Sequence, residues 1–203
     1  MFRRRSFLKS SSLIAGGLIL PKLSFKSKKL NQKKLKIAVV GCGGRGTGAA
    51  VQALRADNNV ELVTLADAFK DRLEASLNAI KDEFEGEMEI NIKEKNKFVG
   101  FDAYKKAIDK SDVVILASPP GFRPAHFEYA INKNKHVFME KPVATDAHGV
   151  RQVLNSARKA KEKNLNVVVG LQRRYQKSYL SAKKQIDRGI IGKIISAHVR
   201  WNS

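Results

Sequence analysis

Residues 38–50 read AVVGCGGRGTGAA, an apolar run that stops at four glycines within six positions. Ordered glycine loses more backbone entropy than any other residue, so such a cluster marks a tight turn or a backbone that something approaches closely. Gly41, Gly43 and Gly46 form G-x-G-x-x-G between a strand-like run, KIAVV, and a stretch in which Ala49, Ala50, Ala53 and Leu54 share one helical face. In that setting the first glycine permits the turn, the second lets a pyrophosphate reach the backbone, and the third allows helix and strand to pack closely. Gly44 and Arg45 complete the turn, with Gly44 serving local geometry. The phosphates then meet free N–H groups at a helix N-terminus, where the helix dipole favours negative charge. The glycine pattern alone is weak. Asp67 strengthens it, lying 21 residues beyond Gly46 at the end of a second apolar run, VELVTLAD, where a carboxylate accepts hydrogen bonds from ribose hydroxyls. Together these residues predict dinucleotide binding. Asp67 favours NAD, since its charge repels a 2′-phosphate, while nearby Lys70 and Arg72 leave NADP open.

Outward from this turn, short apolar runs alternate with amphipathic stretches, the pattern of βαβ units. KIAVVG and VELVTLAD are too continuously apolar to have a solvated face, KFVG is a weaker third strand, and DVVILASPP, HVFME and NVVVG bring the set to about six. Pro124 suits a first helical turn, and Phe127, Ala130 and Ile131 give its apolar stripe. Thr145 is the expected cap of a long helix with Ala147, Val150, Val153, Leu154, Ala157 and Ala160 at helical spacing. The expected fold is therefore α/β, a doubly wound parallel sheet. KDEFEGEMEINIKEKNK, residues 81–97, lacks a consistent period and reads as a helix end plus a surface excursion. After a helix ending near Gly189, Ile195, Ala197, Val199 and Trp201 alternate with polar residues, which predicts the first strand of a different sheet. The expected organisation is a leader and linker over 1–34, a dinucleotide-binding domain over 35–172, and a connecting helix with the start of a truncated second domain over 173–203.

The chain of 203 residues carries a net charge of +20, but residues 1–36 hold eleven Lys or Arg and no acid, leaving +9 for the rest. The body shows no aromatic-interleaved basic motif, which argues against nucleic acid as a partner. A single cysteine, Cys42, excludes an intrachain disulfide and supplies no metal-ligand cluster. The leader MFRRRSFLKSSSLIAGGLILPKLSF has a basic start and an apolar core far short of the roughly 20 residues that span a bilayer. Arg4-Arg5-Ser6-Phe7-Leu8-Lys9 resembles a twin-arginine signal, which carries folded proteins to the periplasm and makes the export machinery an expected partner. Arg3 stands where Ser or Thr is usual and no A-x-A site follows, so a basic cytosolic tail stays as the alternative.

Two further stretches fall at strand ends, where doubly wound sheets bind ligands. ASPPGFRPAHF places Ser118 and Pro119 either at the nicotinamide side of the cleft or in a plain strand-ending turn. His126 faces the cleft or, as the plainer reading, the helix surface. FMEKPVATD places Glu140, Lys141 and Pro142 at the same edge. A partly buried lysine there donates a hydrogen bond to a substrate oxygen. From the tripeptide alone it reads as surface.

The glycine turn, Asp67, ASPP with its downstream His126, NKHVFMEKP and GLQRRYQ…GIIGKI together resemble the Gfo/Idh/MocA family of NAD(P)-dependent oxidoreductases, from about Lys36 onward. NKHVFMEKP is the most specific element, with Asn134 where the family has glycine. The resemblance implies a Rossmann domain followed by an open-faced α/β domain that builds much of the substrate site and the homo-oligomer interface. It implies that Lys141 contacts substrate near the nicotinamide, that Glu140 lines the cofactor cleft and that the Lys141-Pro142 bond is cis. His126, Arg174 and Tyr175 become candidate substrate contacts. The family's acid/base group would lie beyond Ser203, so the residues given are expected to bind cofactor better than they catalyse. The implied substrate is a sugar or polyol. A redox-neutral NAD-dependent glycosidase, a sugar-to-sugar oxidoreductase and a non-catalytic cofactor-binding domain are the alternatives.

Overall fold

The structure is a computed structural model that describes residues 33–200. The leader and Trp201 lie outside the described residues. The apolar runs form strands β1 (Leu35–Val40), β2 (Val60–Asp67), β3 (Lys97–Val99), β4 (Val113–Leu116), β5 (His136–Met139) and β6 (Val167–Val169). They pair in parallel in the order β3-β2-β1-β4-β5-β6, with Val40 opposite Ala66 on one side and Leu116 on the other. The winding direction reverses between β1 and β4. At such a reversal the connections leave in opposite directions and open a crevice at the carboxyl ends of the strands.

Helices α1 (Gly44–Ala56), α2 (Lys70–Glu83), α3 (Ala103–Asp109), α4 (Arg123–Asn132) and α5 (Ala147–Glu162) cover both faces. Successive strand side chains point to opposite faces, so β1 feeds two cores. Ile37 and Val39 pack with Leu54, Leu73, Leu77 and Ile80 of α1 and α2. Ala38 and Val40 pack with Ala107, Ile108, Phe127 and Ile131 of α3 and α4. Burial on both sides explains why β1 and β4, which feed both cores, read as apolar runs. The fold is the doubly wound parallel α/β sheet expected from the sequence.

Local expectations are corrected at four places. Asp146, not Thr145, caps α5, its Oδ1 accepting the Gly149 N–H at 2.7 Å. Both residue types cap well, and the one-residue difference is set by where the backbone turns helical. On α5, Val150 and Leu154 are exposed although they share the helical stripe with buried Val153 and Ala160. The stretch after α2 is not only surface, because Ile90 and Ile92 are buried with Phe84 in the core beside α2. Finally, helix α6 (Lys177–Asp187) has no buried residue, and residues 193–200 form no strand. Ile195 and Val199 are 93% and 91% exposed. An alternating pattern becomes a strand only against a partner with which its N–H and C=O groups can pair.

Candidate cofactor site

The glycine turn is built by contacts of the chain with itself. Gly41 has φ +94°, and a Cβ there would sit 2.4 Å from the Ser118 nitrogen. A Cβ on Gly46 would lie 1.9 Å from the Gly41 carbonyl oxygen. These two glycines let the turn press against the β4 loop and α1 press against the turn. Gly43 and Gly44 differ, since a Cβ on either would meet nothing within 4 Å. Their bareness leaves open space above the start of α1. Gly43 is the N-cap, without a side-chain capping bond, and the first turn has no acidic residue. The first N–H groups of α1 are thus left to an outside acceptor.

Asp67 ends β2 beside this turn. Its Oδ2 accepts the Cys42 N–H at 2.7 Å and its Oδ1 accepts the Phe69 N–H at 2.9 Å. Each carboxylate oxygen keeps a further lone pair for a ribose hydroxyl. Cys42 is buried, and burial together with the Asp67 charge pushes its thiol up to about 12, which leaves it a packing group. A cavity of about 380 Å³ opens over the carboxyl ends of β1, β2 and β4, bounded by Gly43, Asp67, Phe69, Phe101, Pro119 and Phe122. Open glycine backbone, an uncapped helix, a carboxylate at the ribose position and an apolar-walled cavity fit a dinucleotide. Gly41, Gly43, Gly44, Gly46 and Asp67 are the residues that would hold it.

Ser118 and His126 belong to this same cavity. His126 is not on the helix surface. It is 8% exposed, its Nδ1 shares a 3.0 Å hydrogen bond with Ser118 Oγ, and its ring stacks 4.0 Å from that of Tyr104. Burial, and then the charge of Arg123, lowers its pKa from the ordinary 6.5 to about 4. The unfolded chain therefore binds a proton more readily than the folded one between these values, and stability falls as pH drops from about 6.5 to about 4. Thermal unfolding midpoints measured across that range are expected to fall for the wild type. They should fall less for His126→Gln, which cannot titrate.

On the other side of the crevice, Glu140 and Lys141 follow β5. Glu140 is buried, and its carboxylate accepts Arg45 Nη2 at 2.7 Å. Gly170, just past β6, makes room for it, since a Cβ there would lie 3.0 Å from Glu140 Oε2. Glu140 therefore joins β5 to the glycine turn rather than opening into the cavity. Lys141 is exposed, not partly buried, and its bond to Pro142 is cis as the resemblance implies. Arg174 lies in a 3₁₀ turn over Gln172–Arg174, followed by Tyr175, 66% exposed. Among the described residues no hydrogen bond or ion pair joins either of them to Lys141.

Sequence reasoning missed Arg123. It is buried on the first turn of α4, and its guanidinium donates to the carbonyls of Glu140 at 2.7 Å, Pro142 and Ser118. Next to Pro124 it reads as an ordinary helix-start charge, and no local signal tells otherwise.

The profile of an oxidoreductase family with an NAD-binding Rossmann fold matches residues 35–170. Inositol 2-dehydrogenase of Salmonella typhimurium is 30% identical over 169 residues, which cover 82% of this chain and 45% of that protein. The crystal structure of myo-inositol 2-dehydrogenase from Lactobacillus plantarum superposes with a TM-score of 0.62 at 31% identity, over 80% of this chain and 44% of that one. Scyllo-inositol dehydrogenase from Lactobacillus casei, with bound NAD(H) and scyllo-inositol, gives 0.61 at 26% identity, over 79% and 43%. The chain spans less than half the length of these relatives. With its glycine turn, its Asp67 and its reversed sheet, the chain belongs to the Gfo/Idh/MocA oxidoreductase family and carries that family's NAD-binding Rossmann fold.

Proposed function

We propose that this chain forms the cofactor half of an NAD-dependent dehydrogenase of a cyclic polyol or sugar, in which Lys141 holds the reacting substrate oxygen. The observation that carries this reading is the placement of Lys141 on the same sheet edge as the open glycine turn, one strand beyond the β1–β4 reversal. When bound, the nicotinamide supplies a hydride acceptor. Lys141 has no intramolecular partner among the described residues, so its ammonium is available to donate a hydrogen bond to a substrate hydroxyl. Glu140 and Arg45 brace the loop behind it. The polyol class is drawn from the inositol dehydrogenases to which the chain is similar.

The reading extends to export through the twin-arginine-like leader, with the cofactor carried in the folded protein. A carried cofactor that is not exchanged favours reactions returning it to its starting state, and a redox-neutral glycosidase or sugar-to-sugar oxidoreductase is the second reading on that ground.

The test is native mass spectrometry of the protein expressed from its own gene, followed by NAD reduction with a panel of inositols and sugars. Retained or titratable NAD, tighter than NADP, with reduction by a cyclic polyol is the expected result. Turnover of a glycoside without net NAD reduction would favour the second reading. Failure to bind either dinucleotide at millimolar concentration would overturn both.

A further inference from the structure

The three carbonyls that Arg123 holds come from two separate crossings of the sheet. Ser118 follows β4, whereas Glu140 and Pro142 bracket Lys141 after β5. A guanidinium presents its donors in a rigid planar fork, so one side chain reaches all three acceptors at once. The group is only 3% exposed, and its desolvated charge is offset by the neighbouring Glu140 carboxylate. Glu140 in turn holds Arg45 of the glycine turn. Charges thus alternate from the exposed Arg45 of the glycine turn through buried Glu140 to buried Arg123.

Arg123 makes no hydrogen bond to the Lys141 side chain. It holds the Glu140–Lys141 peptide and, one residue further on, the Pro142–Val143 peptide, so the short span that carries Lys141 is anchored at both ends and the directions in which its side chain can leave the backbone are restricted. An exposed lysine on an otherwise free loop samples many orientations, at an entropy cost when it engages substrate. We propose that Arg123 is a positioning residue that clamps the Lys141 loop to the Ser118 loop and so aims Lys141 at the substrate oxygen. This rests on the reading of Lys141 as a substrate contact.

The test compares Arg123→Lys and Arg123→Gln with Lys141→Met in the protein expressed from its own gene. Four quantities are measured: the NAD dissociation constant, amide hydrogen exchange over residues 116–123 and 139–145, and kcat and KM for a cyclic polyol. Arg123→Lys keeps the charge but has no fork, and it carries the test if Arg123→Gln does not fold. Its NAD affinity is expected to stay within about threefold of wild type while exchange in both segments rises together. Its kcat is expected to fall by about 10- to 100-fold, the scale of a small misplacement of a reacting group. Unchanged exchange in the two segments would overturn the clamp. Raised exchange with wild-type kcat, beside an inactive Lys141→Met, would make Arg123 purely structural and overturn the positioning role. A Lys141→Met variant with wild-type kcat would overturn the reading of Lys141 itself, an outcome distinct from both.

Discussion

Gly46→Ala is expected to lower NAD affinity by at least about 100-fold and to destabilise the fold by roughly 3 kcal/mol, at the upper end of the cost of forcing extra volume into a packed site. The added methyl would lie 1.9 Å from the Gly41 carbonyl oxygen, which is backbone and has no rotamer to yield. Either α1 retreats from β1 or the Gly41 turn opens. Each movement displaces the N–H groups that the pyrophosphate needs. Gly43→Ala separates binding from folding. Its methyl meets nothing in the chain, so stability is expected to stay near wild type while NAD binding weakens, because the methyl occupies the space through which phosphate reaches the backbone. Gly48→Ala is the internal control. It lies inside α1 with nothing within 4 Å, so alanine is expected to stabilise the fold by up to about 1 kcal/mol and leave NAD binding intact. Urea denaturation and NAD titration on the three variants check this ordering. Wild-type NAD binding by Gly46→Ala would sink the account of the turn.

What was legible in the sequence, and what was not, divides by the range of the interactions. The central strands were readable because a strand buried on both faces must be largely apolar along its length, as β1 and β4 are at Ile37–Val40 and Val113–Leu116. The glycine turn was readable because three glycines and Asp67 stand at spacings imposed by one βαβ unit. Arg123, Glu140 and His126 were not, because their roles depend on chain crossings. Arg123 reaches Glu140 across 17 residues, and Glu140 reaches Arg45 across 95. A buried arginine donating to carbonyls has the same sequence appearance as a solvated one. The alternation at Ile195–Val199 is the converse case, a local pattern with no sheet to join among the described residues. Ile90 and Ile92 were hidden by charged neighbours that mask a two-residue apolar contact.

The same distinction between what binds and what reacts gives the second large prediction, Lys141→Met. It is expected to reduce kcat for a cyclic polyol by about 1,000-fold, within the range for loss of a group that holds or moves a proton in the transition state. NAD affinity should change little, because Lys141 lies on the loop after β5 and the cavity with Asp67 and Gly43 is built without it. A kcat loss with KM nearly unchanged would mean that the ammonium engages the oxygen mainly as charge develops on it, whereas a raised KM with intact kcat would mean simple substrate binding. Lys141→Arg should not restore the rate, since a planar fork cannot replace a compact point donor at a single oxygen. Activity in Lys141→Met equal to wild type would leave Lys141 a solvated loop residue, and the reacting oxygen would then have to be held by another group. Gly46→Ala and Gly43→Ala would still weaken NAD binding in that case, because the phosphate turn and the reacting centre are held by separate loops, joined in this chain through Glu140 and Arg45.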